Sequence, residues 1–135
     1  MTTSPSLSQS QRRIVWAVRV LLALAFGAAG AAKLAGVPMM VQVFDAIGFG
    51  QWFRYVTGVV EILGVVMLLL PTTAFFGALW LTATMAGAVA THLILIGGSP
   101  LPALVLGLLS AFVAWKLRPS AALAAQTSPH GRVQA

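Results

Sequence analysis

Four apolar runs, each close to the length that crosses a membrane, limit what this chain can fold into. They occupy residues 14–34, 56–70, 74–96 and 101–117. An α-helix rises 1.5 Å per residue, so about 20 apolar residues cross the hydrocarbon core of a bilayer. Hydrophobic residues make up 59% of the chain and charged residues 7%, which excludes a water-soluble globule. We therefore predict an all-α fold, a bundle of four transmembrane helices in contact with the lipid bilayer.

Basic residues at the ends of these runs predict the orientation of the bundle. Four flank the start of the first run and the end of the last, and two lie at the opposite side: Arg12, Arg13, Lys116 and Arg118 against Lys33 and Arg54. The positive-inside rule then predicts a multi-pass protein of four spans with both termini cytoplasmic. The net charge of +6 is explained by this distribution, so we expect no nucleic-acid partner.

The two ends of the chain differ in composition from the apolar runs. Residues 1–13 and 118–135 contain few groups that could be buried, and we predict disordered tails on either side of a membrane domain at 14–117. A cleaved signal peptide is the alternative for the first run. Its apolar stretch exceeds the 7 to 15 residues usual in such peptides, which favours a retained helix.

The connection between the first and second runs, residues 36–53, is neither a span nor a polar loop. Pro38 suits the first turn of a helix and Gly48 its end. Apolar residues recur between them at helical spacing, namely Met40, Val41, Phe44 and Ile47. This pattern predicts a short amphipathic helix lying in the membrane interface.

Glu61 is one of only two acidic residues, and it lies inside the second run. A charge at the centre of a spanning helix costs about 2.5 to 3.5 kcal/mol on insertion scales, so it should face protein. Because successive helices alternate in direction, Lys33 and His92 are expected at a similar depth. We predict that Lys33, Glu61 and His92 form a buried polar cluster that is the candidate ligand-binding site.

Each basic member of this cluster has an alternative role. Lys33 could extend to the lipid headgroups, and His92 could bind a backbone carbonyl. Arg19, near the opposite edge of the membrane, is expected to extend to the headgroups in the same way.

Small residues predict where the helices approach closely. They recur every four residues in the first and third runs and flank Glu61 in the second: Ala23, Gly27 and Ala31; Ala83, Gly87 and Thr91; Gly58 and Gly64. This spacing is typical of packed membrane helices.

Several kinds of chemistry are excluded by composition. The chain has no cysteine, which rules out disulfides and iron–sulfur ligation. The second histidine, His130, is in the tail, and zinc needs more ligands than Glu61 and His92 supply. No phosphate-binding Gly-Lys-Ser/Thr motif and no convincing nucleophile triad is present. We predict no catalytic residues, no metal site and no covalently bound cofactor.

Short motifs in the first three runs resemble the DoxX family of small bacterial membrane proteins. They are Gly-Ala-Ala-Lys-Leu at 30–34, the segment at 44–48, Gly-Val-Val-Glu-Ile-Leu-Gly at 58–64, and the terminal His92. The resemblance spans about residues 14–117. It implies a four-helix bundle in the bacterial inner membrane, with Lys33, Glu61 and His92 as characteristic polar positions. The family takes its name from a subunit associated with a quinol oxidase or thiosulfate to quinone oxidoreductase, and some members are linked to redox complexes in oxidative-stress defence.

Three functions are compatible with this pattern. The first is a non-catalytic or accessory subunit of a membrane redox system, with a quinone in an apolar slot near Glu61 and His92. The second is a scaffold or assembly factor whose polar cluster fixes the helix register. The third is a small proton-coupled carrier in which Glu61 and His92 exchange protons. Each requires a membrane protein partner or a second copy of the chain.

Overall fold

The computed structural model describes residues 6–119, which form five helices and no strand within that range. In chain order they are α1 (Gln9–Ala35), α2 (Pro38–Ile47), α3 (Gln51–Leu69), α4 (Ala74–Thr91) and α5 (Leu101–Leu117). α4 continues as a π-helical segment, His92–Ile96. α1 packs against α3, α3 against α4, α4 against α5, and α5 against α1. The predicted four-helix bundle with one additional short helix is confirmed.

Three of the helices are long and apolar enough to cross a membrane: α1, α3, and α4 together with its π-helical segment. α5 is also apolar but has 17 residues, and it begins and ends as its sequence run does. Of the two predicted tails, residues 1–5 and 120–135 lie outside the described range. The bundle has two different ends: the α2 end, where α1 ends and α3 begins, and the basic end, where α1 begins and α5 ends.

Helix α1 begins before Ile14, the start of the apolar run, because its first turn has a polar cap. The Ser8 hydroxyl accepts a hydrogen bond from the Gln11 amide at 3.2 Å, and the Gln11 side chain accepts one from the Ser8 amide at 3.1 Å. This reciprocal arrangement satisfies two amides that would otherwise have no partner. Residues 9–13, predicted as tail, are therefore helical.

The short helix α2 forms as its residues predict. Pro38 occupies the first turn, and Gly48 ends the helix with a positive φ of 86° that glycine adopts without strain. Phe44 is buried and makes an edge-to-face contact with Phe53 of α3, with ring centroids 5.8 Å apart. α2 thus packs on the bundle through α3 and through the π-helical segment.

Close backbone approach occurs at Gly30, which faces Gly58, and at Gly77, which faces Leu68, and the glycines of the four-residue repeats are not among these contacts. A Cβ on Gly30 would lie 3.1 Å from the Gly58 carbonyl oxygen, and a Cβ on Gly77 only 2.5 Å from the Leu68 nitrogen. By contrast, a Cβ on Gly27 or Gly87 would meet nothing within 4 Å. The expectation that the stripes through Gly27 and Gly87 mark tight helix contacts is wrong, because these glycines are on faces that no helix covers.

Candidate functional site at the α1–α3 interface

Lys33 and Glu61 form an ion pair between α1 and α3. The Lys33 Nζ donates to both Glu61 carboxylate oxygens, at 2.9 Å and 3.1 Å. The Glu61 side chain is 5% exposed and that of Lys33 14%, so the pair is largely sealed from its surroundings. At such burial each charge depends on the other to offset its lost solvation. Of the alternatives for Lys33, the structure therefore shows pairing with Glu61.

The helix geometry directs Lys33 into the bundle. In an α-helix the Cα–Cβ bond tilts toward the N-terminus, so the Lys33 stem turns back along α1. Gly30 lies one turn in that direction, where α1 and α3 nearly touch, and Glu61 lies one turn past Gly58 on α3. Close approach of the two backbones thus brings the ammonium group within reach of the carboxylate.

His92 has a different partner. It lies at the junction between α4 and the π-helical segment, half-buried, with its Nδ1 3.0 Å from the Gly97 carbonyl oxygen. Within residues 6–119 it makes no hydrogen bond to Lys33 or Glu61. The structure thus brings two of the three candidate residues together and places the third on a backbone carbonyl. Their role in ligand binding stays a prediction.

A second group of polar residues extends from this pair toward α2. The Arg54 guanidinium donates through Nη1 to the Lys33 carbonyl oxygen and through Nε to the Gln51 side-chain oxygen at 2.6 Å. Gln51 in turn donates to the Asp45 carboxylate at 2.6 Å and to the Val41 carbonyl oxygen at 3.0 Å. A continuous hydrogen-bonded chain therefore connects the end of α1 to α2 through the first turn of α3.

Arg19 occupies the corresponding position at the basic end. Its Nε and Nη2 donate to the Leu68 carbonyl oxygen at 2.9 Å and 2.6 Å, and its guanidinium lies 4.1 Å from the centroid of the Trp16 ring. The last four carbonyls of a helix have no partner within the helix, and Leu68 is in the last turn of α3. Arg19 is 6% exposed, so the expectation that it extends to the headgroups is wrong.

The hydrogen bonds of Arg19, Arg54, Gln51 and Asp45 were not predicted from the sequence. One signal was available on α3, where the buried positions Arg54, Gly58, Glu61, Gly64 and Leu68 follow one another at helical spacing. That spacing puts Arg54 on the same face as Glu61 and hence toward α1. For Arg19 there was no such signal, because extension to the headgroups and capping of a neighbouring helix require the same residue type at the same depth.

The polar groups of this interface are satisfied by one another. In the described part of the chain, no buried side-chain nitrogen or oxygen lacks a hydrogen-bond partner. No group of three or more metal-ligating side chains occurs among those residues. The chemistry available at the α1–α3 interface is therefore charge pairing and helix capping, while His92 keeps one ring nitrogen without a hydrogen bond to the described residues.

An apolar helical bundle that spans the membrane and joins two helices through a buried Lys–Glu pair defines a small multi-pass membrane protein. Residues 17–117 match the DoxX-like family, and because the match covers most of the chain, the protein belongs to that family. No curated protein and no solved structure is significantly similar to it.

Proposed function

We propose that this DoxX-like protein is a non-catalytic subunit of a membrane redox system and that it binds a quinol through His92. Support comes from the family resemblance and from one observation, the hydrogen bond between His92 Nδ1 and the Gly97 carbonyl oxygen. The electron-transfer cofactors belong to the partner subunit in this proposal. The present chain supplies the binding site within the membrane.

The hydrogen bond to Gly97 fixes the tautomer of the neutral imidazole. A carbonyl oxygen only accepts hydrogen bonds, so Nδ1 must carry the proton and Nε2 must be the acceptor. A quinol hydroxyl is a donor and matches this acceptor. An oxidised quinone offers only carbonyl oxygens, so the neutral histidine in this tautomer favours the reduced form.

The surroundings of His92 suit an isoprenoid quinol. Leu93, Ile94 and Leu95 of the π-helical segment are exposed, at 69%, 78% and 49%. Such apolar side chains would contact the quinol ring and tail within lipid, while the polar partner sits at the helix terminus. π-Helical turns in proteins are often found at functional sites, which supports the same location.

The test is quinol-dependent electron transfer in membranes that contain the native complex, with a short-chain benzoquinol as the probe. His92→Phe keeps an aromatic ring but removes the acceptor, and we expect the KM for the quinol to rise about tenfold, the factor that corresponds to one hydrogen bond. Thr91→Val is the matched control, because the Thr91 hydroxyl bonds only the Gly87 carbonyl within the described range. An unchanged KM in His92→Phe would overturn the proposal.

The scaffold function is the second candidate, and the buried Lys33–Glu61 pair favours it. If the protein acts only as a scaffold, Glu61→Gln lowers the yield of the assembled complex, and the activity per assembled complex does not change. His92→Phe then has no effect on either quantity. Affinity purification from native membranes in mild detergent, followed by analysis of co-purifying proteins and quinones, separates the two functions.

A further inference from the structure

We propose that the basic end of the bundle holds the phosphate group of an acidic phospholipid in a groove that is lined in part by Arg19. The groove has a volume of about 380 Å³. It lies between the start of α4 and the end of α5, and its lining combines Arg19 with Thr72, Phe75, Phe76, Leu117 and Pro119. This site is remote from His92, which is at the α2 end, so it is independent of the proposed quinol site.

Arg19 has donor capacity that the protein does not use. Nε and Nη2 are engaged by the Leu68 carbonyl oxygen, and Nη1 donates to no acceptor among residues 6–119. No side-chain nitrogen in that range is both enclosed and unpaired, so Nη1 is not sealed inside the protein, and Arg19 is among the residues that line the groove. Arg19 as a whole is only 6% exposed, so its charge has little access to water. A buried guanidinium of this kind is best compensated by an anion, and phosphate is a preferred partner.

The start of α4 adds further donors on the same groove. Thr73 precedes the helix, but its hydroxyl donates to the Met67 carbonyl oxygen and makes no cap to the first turn of α4. The first amides of a helix have no partner within the helix, and here no side chain supplies one. Ala74, Phe75 and Phe76, which carry these amides, all line the groove. A helix start of this kind attracts phosphate, and Arg19 lies on the same groove to bind it.

The remaining surroundings select a lipid over a free anion. Phe75, Phe76 and Leu117 give the groove an apolar wall against which an acyl chain can lie. Two more cations, Lys116 and Arg118, stand at the end of α5 with their charges against the Trp115 ring, at 4.7 Å and 5.4 Å from its centroid. Basic pockets that lie beside membrane helices are typical sites for acidic headgroups.

The experiment measures lipid retention by native mass spectrometry of the full-length protein in mild detergent. The detergent contains equal amounts of phosphatidylglycerol and phosphatidylcholine. We expect the wild-type protein to retain phosphatidylglycerol about tenfold more than phosphatidylcholine. Arg19→Gln should remove this preference, whereas Arg12→Gln, at an exposed arginine on the same helix, should keep it.

Because Arg19 also caps α3, Arg19→Gln could destabilise the protein. A second pair of variants therefore tests the groove and leaves this cap intact. Thr72→Glu places a carboxylate in the groove at an exposed position, and Thr72→Gln is its uncharged match. If Thr72→Glu loses the preference for phosphatidylglycerol and Thr72→Gln keeps it, the result supports the proposed lipid site. A preference that is absent in the wild type, or that persists in both Arg19→Gln and Thr72→Glu, overturns it. Inorganic phosphate added in excess over the lipid tests the source of the anion. Displacement of the lipid would show a site for free phosphate and contradict the lipid assignment.

Discussion

Arg19 and Arg54 cap each other's helices. Arg19 of α1 donates to the Leu68 carbonyl in the last turn of α3, and Arg54 of α3 donates to the Lys33 carbonyl in the last turn of α1. The number of residues from Arg19 to Lys33 in α1 equals the number from Arg54 to Leu68 in α3. Each guanidinium also stacks on a neighbouring aromatic ring, Trp16 or Tyr55. The α1–α3 pair is therefore closed at both ends by the same contact, with the Lys33–Glu61 ion pair between them.

This reciprocal capping predicts that Arg54→Met destabilises the protein. The change keeps the apolar stem but leaves the Lys33 carbonyl and the Gln51 side chain without a charged donor. A hydrogen bond to a charged group contributes about 1.5 to 3 kcal/mol, so the free energy of unfolding in mixed micelles should fall by about that amount. Arg12→Met, at an exposed arginine in the first turns of α1, is the control and should change it by less than about 0.5 kcal/mol. Equal effects of the two substitutions would show that Arg54 has no capping role.

Glycines at a close helix contact and glycines that face open space should respond in opposite ways to substitution by alanine. Gly77→Ala forces a methyl group to within 2.5 Å of the Leu68 backbone nitrogen, and backbone cannot move aside cheaply. We expect a loss of about 1 to 3 kcal/mol in the free energy of unfolding. Gly87→Ala places the same methyl group in open space on the same helix, so it should be neutral or stabilise by up to about 1 kcal/mol through helix propensity. Thermal unfolding of both variants, followed by circular dichroism, makes the comparison. Similar midpoints would contradict the assigned α3–α4 contact.

The hydrogen bonds of Gln51 predict that α2 depends on this side chain for its position. Gln51→Ala removes the bonds to Asp45 and Val41 on α2, and we expect amide hydrogen exchange across residues 38–47 to become about tenfold faster. Gln42→Ala, at an exposed residue of α2, is the control and should leave the exchange unchanged. If Gln51→Ala exchanges no faster than Gln42→Ala, α2 is held by its apolar contacts alone.

The spans and the short helix could be predicted because they depend on local signals. Apolar run length fixed the extent of α5, and Pro38 and Gly48 fixed both ends of α2. The Lys33–Glu61 pair could also be predicted from the sequence, because a buried carboxylate requires a partner and only a few cations lie at the same depth in the membrane. Local pattern and the cost of burial together were sufficient for these features.

The remaining contacts depend on the rotation of each helix, which the sequence constrains weakly. Gly27 and Gly30 have the same composition around them, yet only Gly30 faces α3. Arg19 reaches Leu68 because α1 and α3 pack with one particular register, and a different register would have left it in the lipid headgroups. His92 binds Gly97 because α4 ends in a π-helical turn, a feature that apolar periodicity does not predict.

The central claim is that Lys33 and Glu61 stabilise the α1–α3 interface as a pair. A double-mutant cycle of Lys33→Met, Glu61→Leu and the combined variant, followed by unfolding in mixed micelles, measures their coupling directly. Each single variant leaves one buried charge without its partner and should lose on the order of 3 kcal/mol, whereas the double variant should recover much of that loss. We predict a coupling energy of about 3 kcal/mol or more, because the double variant should lose no more than either single variant. Strictly additive losses, with no recovery in the double variant, would contradict the account.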